Sequence, residues 1–420
     1  MSTKVVSQPK IFYGYWIVAA TFLCLFITSG CGYFAFSLFV KPLQGDLGWG
    51  RGDITIAWTV YLLISGTTAP FVGRLISRYP ARWIITAGAI IVGLGFSWLS
   101  LISQLWAFYL GYAIIGVGMS TMGHVPSSTI VSNWFQKRRG TAVGIMSAGI
   151  GAGGFALSPL IGGFLIPNFG WRTAYCAMAA LPVVLVIPLA ISVIKFRPAD
   201  KGLYPDGEPA PTAADPTTNQ PSDTKGLTLT AAIATAAFWL IAISFLVGNF
   251  SQAGVLQTQV PHLADIGFPV ALAAGALGAV GFGSTIGKFV FGWLCDQIPP
   301  KYAWAIGLTL QAGSLLILMS IKPTTPLAIV WLYTILIGLS AGAWLPTLSL
   351  LVSTSFGLRA YGTIFGAASF FQSIGVATGP LMMGYMFDTM GDYRLAYIIV
   401  LALHAIALPT VLVVRRPRLT

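Results

Sequence analysis

The chain has 420 residues, of which 56% are hydrophobic and only 8% are charged, and its formal net charge is +12 at pH 7. Soluble domains carry about 25% charged residues, so this composition excludes a surface that faces water over most of its area. The mean hydropathy of +0.81 indicates a surface that faces lipid. The basic residues lie at the ends of apolar stretches, which indicates membrane topology rather than a nucleic-acid partner.

A helix needs about 20 apolar residues to cross the hydrocarbon core of a bilayer. Such stretches are numbered here as predicted spans in chain order: 15–40, 54–77, 83–103, 105–131, 139–166, 172–195, 229–258, 270–295, 302–321, 326–354, 361–387 and 393–414. They are too long and too uniformly apolar for barrel strands, which alternate over about ten residues. The first stretch is also too long for a cleaved signal peptide. The sequence predicts an all-α membrane protein with twelve transmembrane helices.

The Lys and Arg residues are distributed unevenly between the two sides of the predicted spans. With the N-terminus in the cytoplasm, 17 of the 23 lie inside, five lie outside and Lys288 lies within a span. Those outside are Lys41, Arg51, Arg172, Lys322 and Arg394. Because basic residues stay on the cytoplasmic side, both termini are predicted to be cytoplasmic, in the inner (plasma) membrane of a bacterium.

The stretch 197–227 separates the sixth predicted span from the seventh and is rich in Pro, Asp, Thr and Ala, with no apolar period. It is predicted to be a cytoplasmic linker between an N-terminal six-helix bundle, 1–196, and a C-terminal one, 228–420. GRLISRYPAR at 73–82 matches GWLCDQIPPK at 292–301, and WRTAY at 171–175 matches YRLAY at 393–397. These matches predict two repeats, which are parallel because each contains an even number of spans.

The loop at 73–82 resembles the G-x-L-x-D-R-x-G-R-R signature of the major facilitator superfamily, between its second and third helices. The positions that fit are Gly73, Leu75, Arg78 and Arg82, whereas Ser77 replaces the acid. In that family the acid helps to lock the outward-open state, and Asp296 is the matching acid of the second repeat. The resemblance implies the major facilitator fold, with gating roles for Gly73, Arg78, Arg82 and Asp296.

A narrower resemblance lies at 134–149, WFQKRRGTAVGIMSAG, which is similar to the fifth-helix signature of monocarboxylate porters and oxalate–formate antiporters. The first-helix signature of those porters is an acid followed by G-x-W. The corresponding stretch here, Tyr13-Gly14-Tyr15-Trp16, lacks the acid.

Lys288 is the one basic residue in the middle of a predicted span. A charged lysine there is unfavourable by about 3 kcal/mol, unless it reaches the headgroups or pairs with an anion. None of the 11 acidic residues lies in the middle of a span, so an internal salt bridge is not expected and an anionic substrate is favoured. The porters that the chain resembles carry a substrate-binding Arg at this place. Ser284 stands where monocarboxylate porters often have an Asp, so one proton-coupling group of that family is missing. Ala368 stands where oxalate transporters have a second cation, and a single cation favours a single carboxylate.

His124, in the fourth span, stands where relatives have a substrate-contacting Tyr. It is predicted either to bind the carboxylate or accept a proton, or to be a neutral histidine bonded to a backbone carbonyl. In the fold that the chain resembles, the first, fourth, seventh and tenth helices line the cavity. This places Tyr33, Asn249 and Trp344 among the candidate substrate-binding residues, although each would serve equally as a contact between helices.

The predicted function is secondary transport of a small organic anion by alternating access, most simply symport of a lactate- or pyruvate-like monocarboxylate with a proton carried by Lys288 or His124. The alternatives are an anion exchanger of the oxalate–formate kind, a drug or metabolite exporter, and a receptor that does not transport. No enzymatic activity, metal or cofactor is predicted, because the sequence contains no nucleophile–base pair, metal cluster or cofactor loop. The expected partners of the monomer are the anion, protons and the bilayer, with no nucleic acid.

Overall fold

The computed structural model describes residues 12–207 and 226–415, and α-helices fill most of these ranges. In chain order they are α1 (Gly14–Ile27), α2 (Phe36–Leu47), α3 (Arg51–Arg78), α4 (Ala81–Ser100), α5 (Leu105–Met122), α6 (His124–Trp134), α7 (Arg139–Ser158), α8 (Ile166–Leu181), α9 (Ile187–Ser192), α10 (Leu229–Ile233), α11 (Ala236–Ile266), α12 (Val270–Gln297), α13 (Pro300–Ser320), α14 (Leu327–Phe356), α15 (Tyr361–Met390) and α16 (Arg394–Val413).

Every predicted span falls on one or more of these helices. Within the described ranges, 10 helical stretches are long and apolar enough to cross a membrane. One of them, Arg139–Ser192, covers the fifth predicted span and most of the sixth, and α12 lies on the eighth. The predicted all-α membrane fold is therefore confirmed.

The regular α-helical geometry is interrupted at several places, both within the predicted spans and between them. A π-helical segment, Thr28–Phe34, joins α1 to α2 within the first span. Gly123, with φ −84° and ψ −147°, divides the fourth span into α5 and α6. Inside α8, Gly170 has a φ of 79°, a conformation that favours glycine, and it separates the fifth span from the sixth.

The two halves of the chain meet where α7 packs on α12 and α3 packs on α15. Glycine makes both approaches close: a Cβ on Gly73 would overlap the carbonyl oxygen of Gly362, and one on Gly140 would overlap that of Gly292. The first residue of each pair comes from the first half and the second from the other half. Backbones that touch in this way allow helices to pack without the side-chain bulk that normally separates them.

The described ends of the predicted linker are attached to these two halves. The Asp206 carboxylate accepts hydrogen bonds from the backbone N–H groups of Gln136, at 2.9 Å, and Lys137, at 2.8 Å, just before α7. After the gap, the N–H of Leu227 donates to the carbonyl oxygen of Phe356 at the end of α14. Residues 208–225 of the predicted linker lie outside the described residues. We call the end of the molecule with these attachments the linker end.

Candidate functional site

Lys288 lies on α12 and is only 2% exposed, so its side chain points into the protein rather than to lipid. Its ammonium group donates to the hydroxyl oxygen of Ser284, at 2.5 Å, and to the carbonyl oxygen of the same residue, at 3.4 Å. Among the described residues the amine has no carboxylate partner. A cation buried in this way is unfavourable until an anion or the loss of its proton removes the uncompensated charge.

Two glycines bring neighbouring helices against the backbone of Lys288. A Cβ on Gly144 of α7 would lie 2.6 Å from the Lys288 carbonyl oxygen, and a Cβ on Gly342 of α14 would overlap its backbone nitrogen. Since α7 belongs to the first half and α14 to the second, Lys288 lies at the interface of the two halves.

His124 is the first residue of α6, directly after the helix break at Gly123. Its ring packs edge-on against Trp344, with ring centroids 5.6 Å apart, and against Phe365, at 6.1 Å. The Nε2 atom is buried and has no hydrogen-bond partner within the described part of the chain. The structure therefore brings His124 and Trp344 together across the interface, at the N-terminal, electropositive end of a helix.

Asn249 lies on α11 and is 3% exposed. Its amide nitrogen donates to the carbonyl oxygen of Phe245 at 2.8 Å, and its amide oxygen accepts from Gln372 of α15 at 3.4 Å. Both groups are therefore occupied by partners within the second half.

Tyr33 lies in the π-helical segment between α1 and α2. Its ring packs on Trp58 at 5.1 Å, and Trp58 in turn packs on Phe36 and Tyr61. Within residues 12–207 and 226–415, no hydrogen bond or ring contact joins this aromatic group to Lys288 or His124. Tyr33 is thus placed in a separate cluster of the first half.

The predicted gating residues lie at the linker end, and Gly73 and Asp296 contact the opposite half. Gly73 packs on Gly362, as described above, and the Asp296 carboxylate accepts hydrogen bonds from the first residues of α7. Arg78 is exposed and has no partner in the described ranges, and Arg82 stays close to Trp83 of its own helix. Sequence analysis did not predict that Asp206 accepts hydrogen bonds from the backbone before α7, because Asp206 lies in a stretch without periodicity.

The sequence model of the Major Facilitator Superfamily, as a protein family, matches residues 21–380 of the chain. Monocarboxylate transporter 13 of Bos taurus is 24% identical over 349 residues, which cover 82% of this chain and 76% of the transporter. Human monocarboxylate transporter 11 is 26% identical over 397 residues, covering 91% and 79% of the two chains. The crystal structure of the human organic anion transporter MFSD10 superposes with a TM-score of 0.72 at 15% identity and covers 96% of this chain and 100% of that one.

The described helices, with glycine-rich contacts between two halves and a buried cation at their interface, define a membrane transporter. The chain belongs to the major facilitator superfamily. It is therefore a secondary transporter that carries a small molecule across a membrane, and the predicted similarity to monocarboxylate porters is confirmed by its relatives.

Proposed function

We propose that the protein transports a lactate- or pyruvate-like monocarboxylate together with a proton. The observation that carries the proposal is the buried Lys288 ammonium, whose only protein partner among the described residues is Ser284. A hydroxyl group does not neutralise a cation, so the site is complete only when an anion binds or the amine loses a proton.

The position of Lys288 couples binding to alternating access. The residue lies between α7 and α14, so an anion bound there contacts the interface along which the two halves move. Binding neutralises the amine and lowers the free energy of closing the site away from water. The charge on Lys288 opposes closure when the site is empty.

His124 supports the same substrate class from the other side of the interface. The N-terminus of α6 favours negative charge, and the unpartnered Nε2 atom can donate to an anion when it carries the ring proton. A single buried amine suits a single carboxylate, and Ala368, where relatives that carry dicarboxylates have a second cation, is 1% exposed and supplies no charge. The names of the monocarboxylate transporters among its relatives support this choice.

Exchange of one anion for another is the second candidate. The same uncompensated charge favours exchange, because a transporter with a protonated Lys288 and no bound anion closes unfavourably. A second anion that binds for the return step neutralises the amine and allows closure. Symport requires Lys288 or His124 to lose its proton instead. The two candidates differ in their response to a pH gradient.

The proposed topology places both termini and the linker end in the cytoplasm, on the basis of the 17 basic residues inside against five outside. The contacts between halves at the linker end then close the cytoplasmic side. We propose that the monomer, with an N-terminal bundle, 1–196, and a C-terminal bundle, 228–420, is the transporting unit.

Uptake of labelled lactate and pyruvate into proteoliposomes tests the proposal, with and without an inward proton gradient and with unlabelled anion inside as a separate arm. Stimulation by the gradient supports symport, and stimulation only by internal anion supports exchange. Lys288→Ala should reduce uptake at least tenfold, and Lys288→Arg should retain part of it, because the charge is kept.

Lys322→Ala, which removes an exposed lysine between α13 and α14, is the matched control and should transport normally. Wild-type transport kinetics in Lys288→Ala would show that Lys288 does not bind the substrate. The anion proposal would be overturned if the wild-type protein took up none of lactate, pyruvate, acetate and oxalate and if none of these anions raised its melting temperature.

A further inference from the structure

A cleft of about 280 Å³ lies at the linker end, between the first turn of α4 and the segment 194–196. Arg82, Lys195 and Asp200 are its charged lining residues. We propose that this cleft binds the phosphate headgroup of an anionic phospholipid. The proposal concerns a different site from Lys288 and does not depend on which substrate is transported.

The cations in the cleft lack the partners that would satisfy them. The Nε atom of Arg82 is buried and has no acceptor in the described residues, and its guanidinium lies 5.5 Å from the centre of the Trp83 ring. Neither Arg82 nor Lys195 forms an ion pair with Asp200 in the described structure. One oxygen of that carboxylate instead accepts from the backbone N–H of Arg197, at 3.1 Å. Two cations and one acid leave a net positive charge, and phosphate oxygens would supply the missing acceptors.

The wall of the cleft opposite α4 is held in place by hydrogen bonds from elsewhere in the first half. The Tyr13 hydroxyl donates to the carbonyl oxygen of Val193, at 2.8 Å, and the Trp134 indole donates to that of Lys195, at 2.9 Å. The backbone that carries Lys195 is therefore fixed before a ligand arrives. A preformed site loses less conformational freedom on binding than a mobile one.

The surroundings of the cleft favour a lipid over a soluble phosphate. Trp83, which follows Arg82, is 53% exposed, and Tyr79 is 60% exposed. Further along α4, Ile90 and Leu94 continue an exposed apolar face. Such a face lies against acyl chains, and tryptophan and tyrosine at its end lie at the level of the headgroups. Basic pockets between transmembrane helices at this level are suited to anionic headgroups.

The test uses the purified full-length chain in a neutral detergent, titrated with phosphatidylglycerol, phosphatidylcholine or inorganic phosphate while its melting temperature is followed. We expect phosphatidylglycerol to raise the melting temperature and phosphatidylcholine to have little effect. Arg82→Gln and Lys195→Gln should each weaken the apparent affinity for phosphatidylglycerol about fivefold. Arg82→Lys should retain part of it, and Lys322→Gln, at an exposed lysine outside the cleft, should behave as the wild type.

An unchanged response to phosphatidylglycerol in the Arg82→Gln/Lys195→Gln double variant would overturn the proposal. Stabilisation by inorganic phosphate equal to that by phosphatidylglycerol would assign the cleft to a soluble anion and overturn the lipid assignment. Native mass spectrometry of the wild type in a mixture of the two lipids requires no variant. Preferential retention of phosphatidylglycerol supports the site, and equal retention contradicts it.

Discussion

The carboxylate of Asp296, at the end of α12, binds the backbone of Gly140, at the start of α7, across the two halves of the protein. The distance from Asp296 Oδ1 to the Gly140 nitrogen is 2.6 Å, and Thr141 donates its N–H at 2.7 Å and its hydroxyl at 2.6 Å to the other oxygen. A carboxylate at the N-terminus of a helix satisfies unpaired N–H groups and interacts favourably with the helix dipole. Asp296 is therefore a direct link between the halves at the linker end.

Asp296→Ala should weaken the closed arrangement of the linker end. The loss of charge-assisted hydrogen bonds is expected to be worth about 2 kcal/mol, or roughly 30-fold in the equilibrium between closed and open states. Hydrogen exchange of the N–H groups of Gly140 and Thr141 measures this directly and should become faster. Asp265→Asn serves as the control, because Asp265 is an exposed acid near the C-terminus of α11. Exchange that is unchanged in Asp296→Ala would show that the contact does not hold the halves together.

Ser77→Asp should have the opposite effect, because it would build the missing counterpart of this link. Ser77 follows Gly73 by the same four residues that separate Asp296 from Gly292, and its hydroxyl now donates to the carbonyl oxygen of Arg74, at 2.7 Å. An aspartate there is expected to reach the N-terminus of α15, where no side chain caps the helix. Hydrogen exchange at the start of α15 should slow several-fold, and transport turnover should fall. Faster exchange there would contradict the expected symmetry of the two repeats.

His124→Phe separates packing from polar chemistry at the helix break. Phenylalanine should keep the edge-on contacts with Trp344 and Phe365, so the melting temperature should stay within a few degrees of the wild type. The loss of the ring nitrogens should raise KM for the anion about tenfold and flatten the pH profile of transport. His124→Tyr, which restores a polar group, should recover part of the activity. If His124→Phe transports as the wild type does, the histidine is a packing residue only.

Asp46→Asn should change how stability depends on pH. Hydrogen bonds from Arg172, at 2.7 Å, and from the Trp171 indole, at 2.9 Å, hold the pKa of Asp46 below its usual value. A lowered pKa contributes stability above the usual range of aspartate and loses it as the pH falls through the folded-state pKa. The melting temperature of the wild type should therefore fall more than that of Asp46→Asn between about pH 7 and about pH 3.

Arg172→Gln should reproduce this flatter profile, because it removes the main donor to Asp46. Arg394→Gln is the matched control, since Arg394 occupies the corresponding place in the predicted second repeat and is exposed without an ion pair in the described residues. A profile that is as steep in Asp46→Asn as in the wild type would assign the pH dependence to other groups.

The helical membrane fold could be predicted from the sequence because the lipid environment requires long apolar stretches, and hydropathy detects them directly. The same requirement made Lys288 conspicuous, since a charge within such a stretch has few structural explanations. The repeated loop that begins at Gly73 and Gly292 predicted two related halves, and the structure places both glycines at contacts between them.

The breaks within helices could not be predicted in the same way. The stretch around Gly123 contains Pro126 and several small polar residues, but glycine and proline are both common in transmembrane helices, and Pro346 and Pro380 lie inside uninterrupted α14 and α15, so composition did not locate the break. The pairing of Asn249 with Gln372 depends on the packing of α11 against α15, which the sequence of neither helix specifies. Arg78 and Arg82 matched a signature, but in the described structure their side chains form no hydrogen bond or ion pair with the opposite half.

The two contact lines between the halves are held by different forces. At α7 and α12 the carboxylate of Asp296 adds charge-assisted hydrogen bonds, whereas α3 and α15 touch through glycine and small residues, with no hydrogen bond between them in the described ranges. Van der Waals contact weakens over a fraction of an ångström. The line at α3 and α15 is therefore expected to separate first, so that the cycle passes through an asymmetric intermediate in which one side of the barrier at the linker end has opened and the other is still closed.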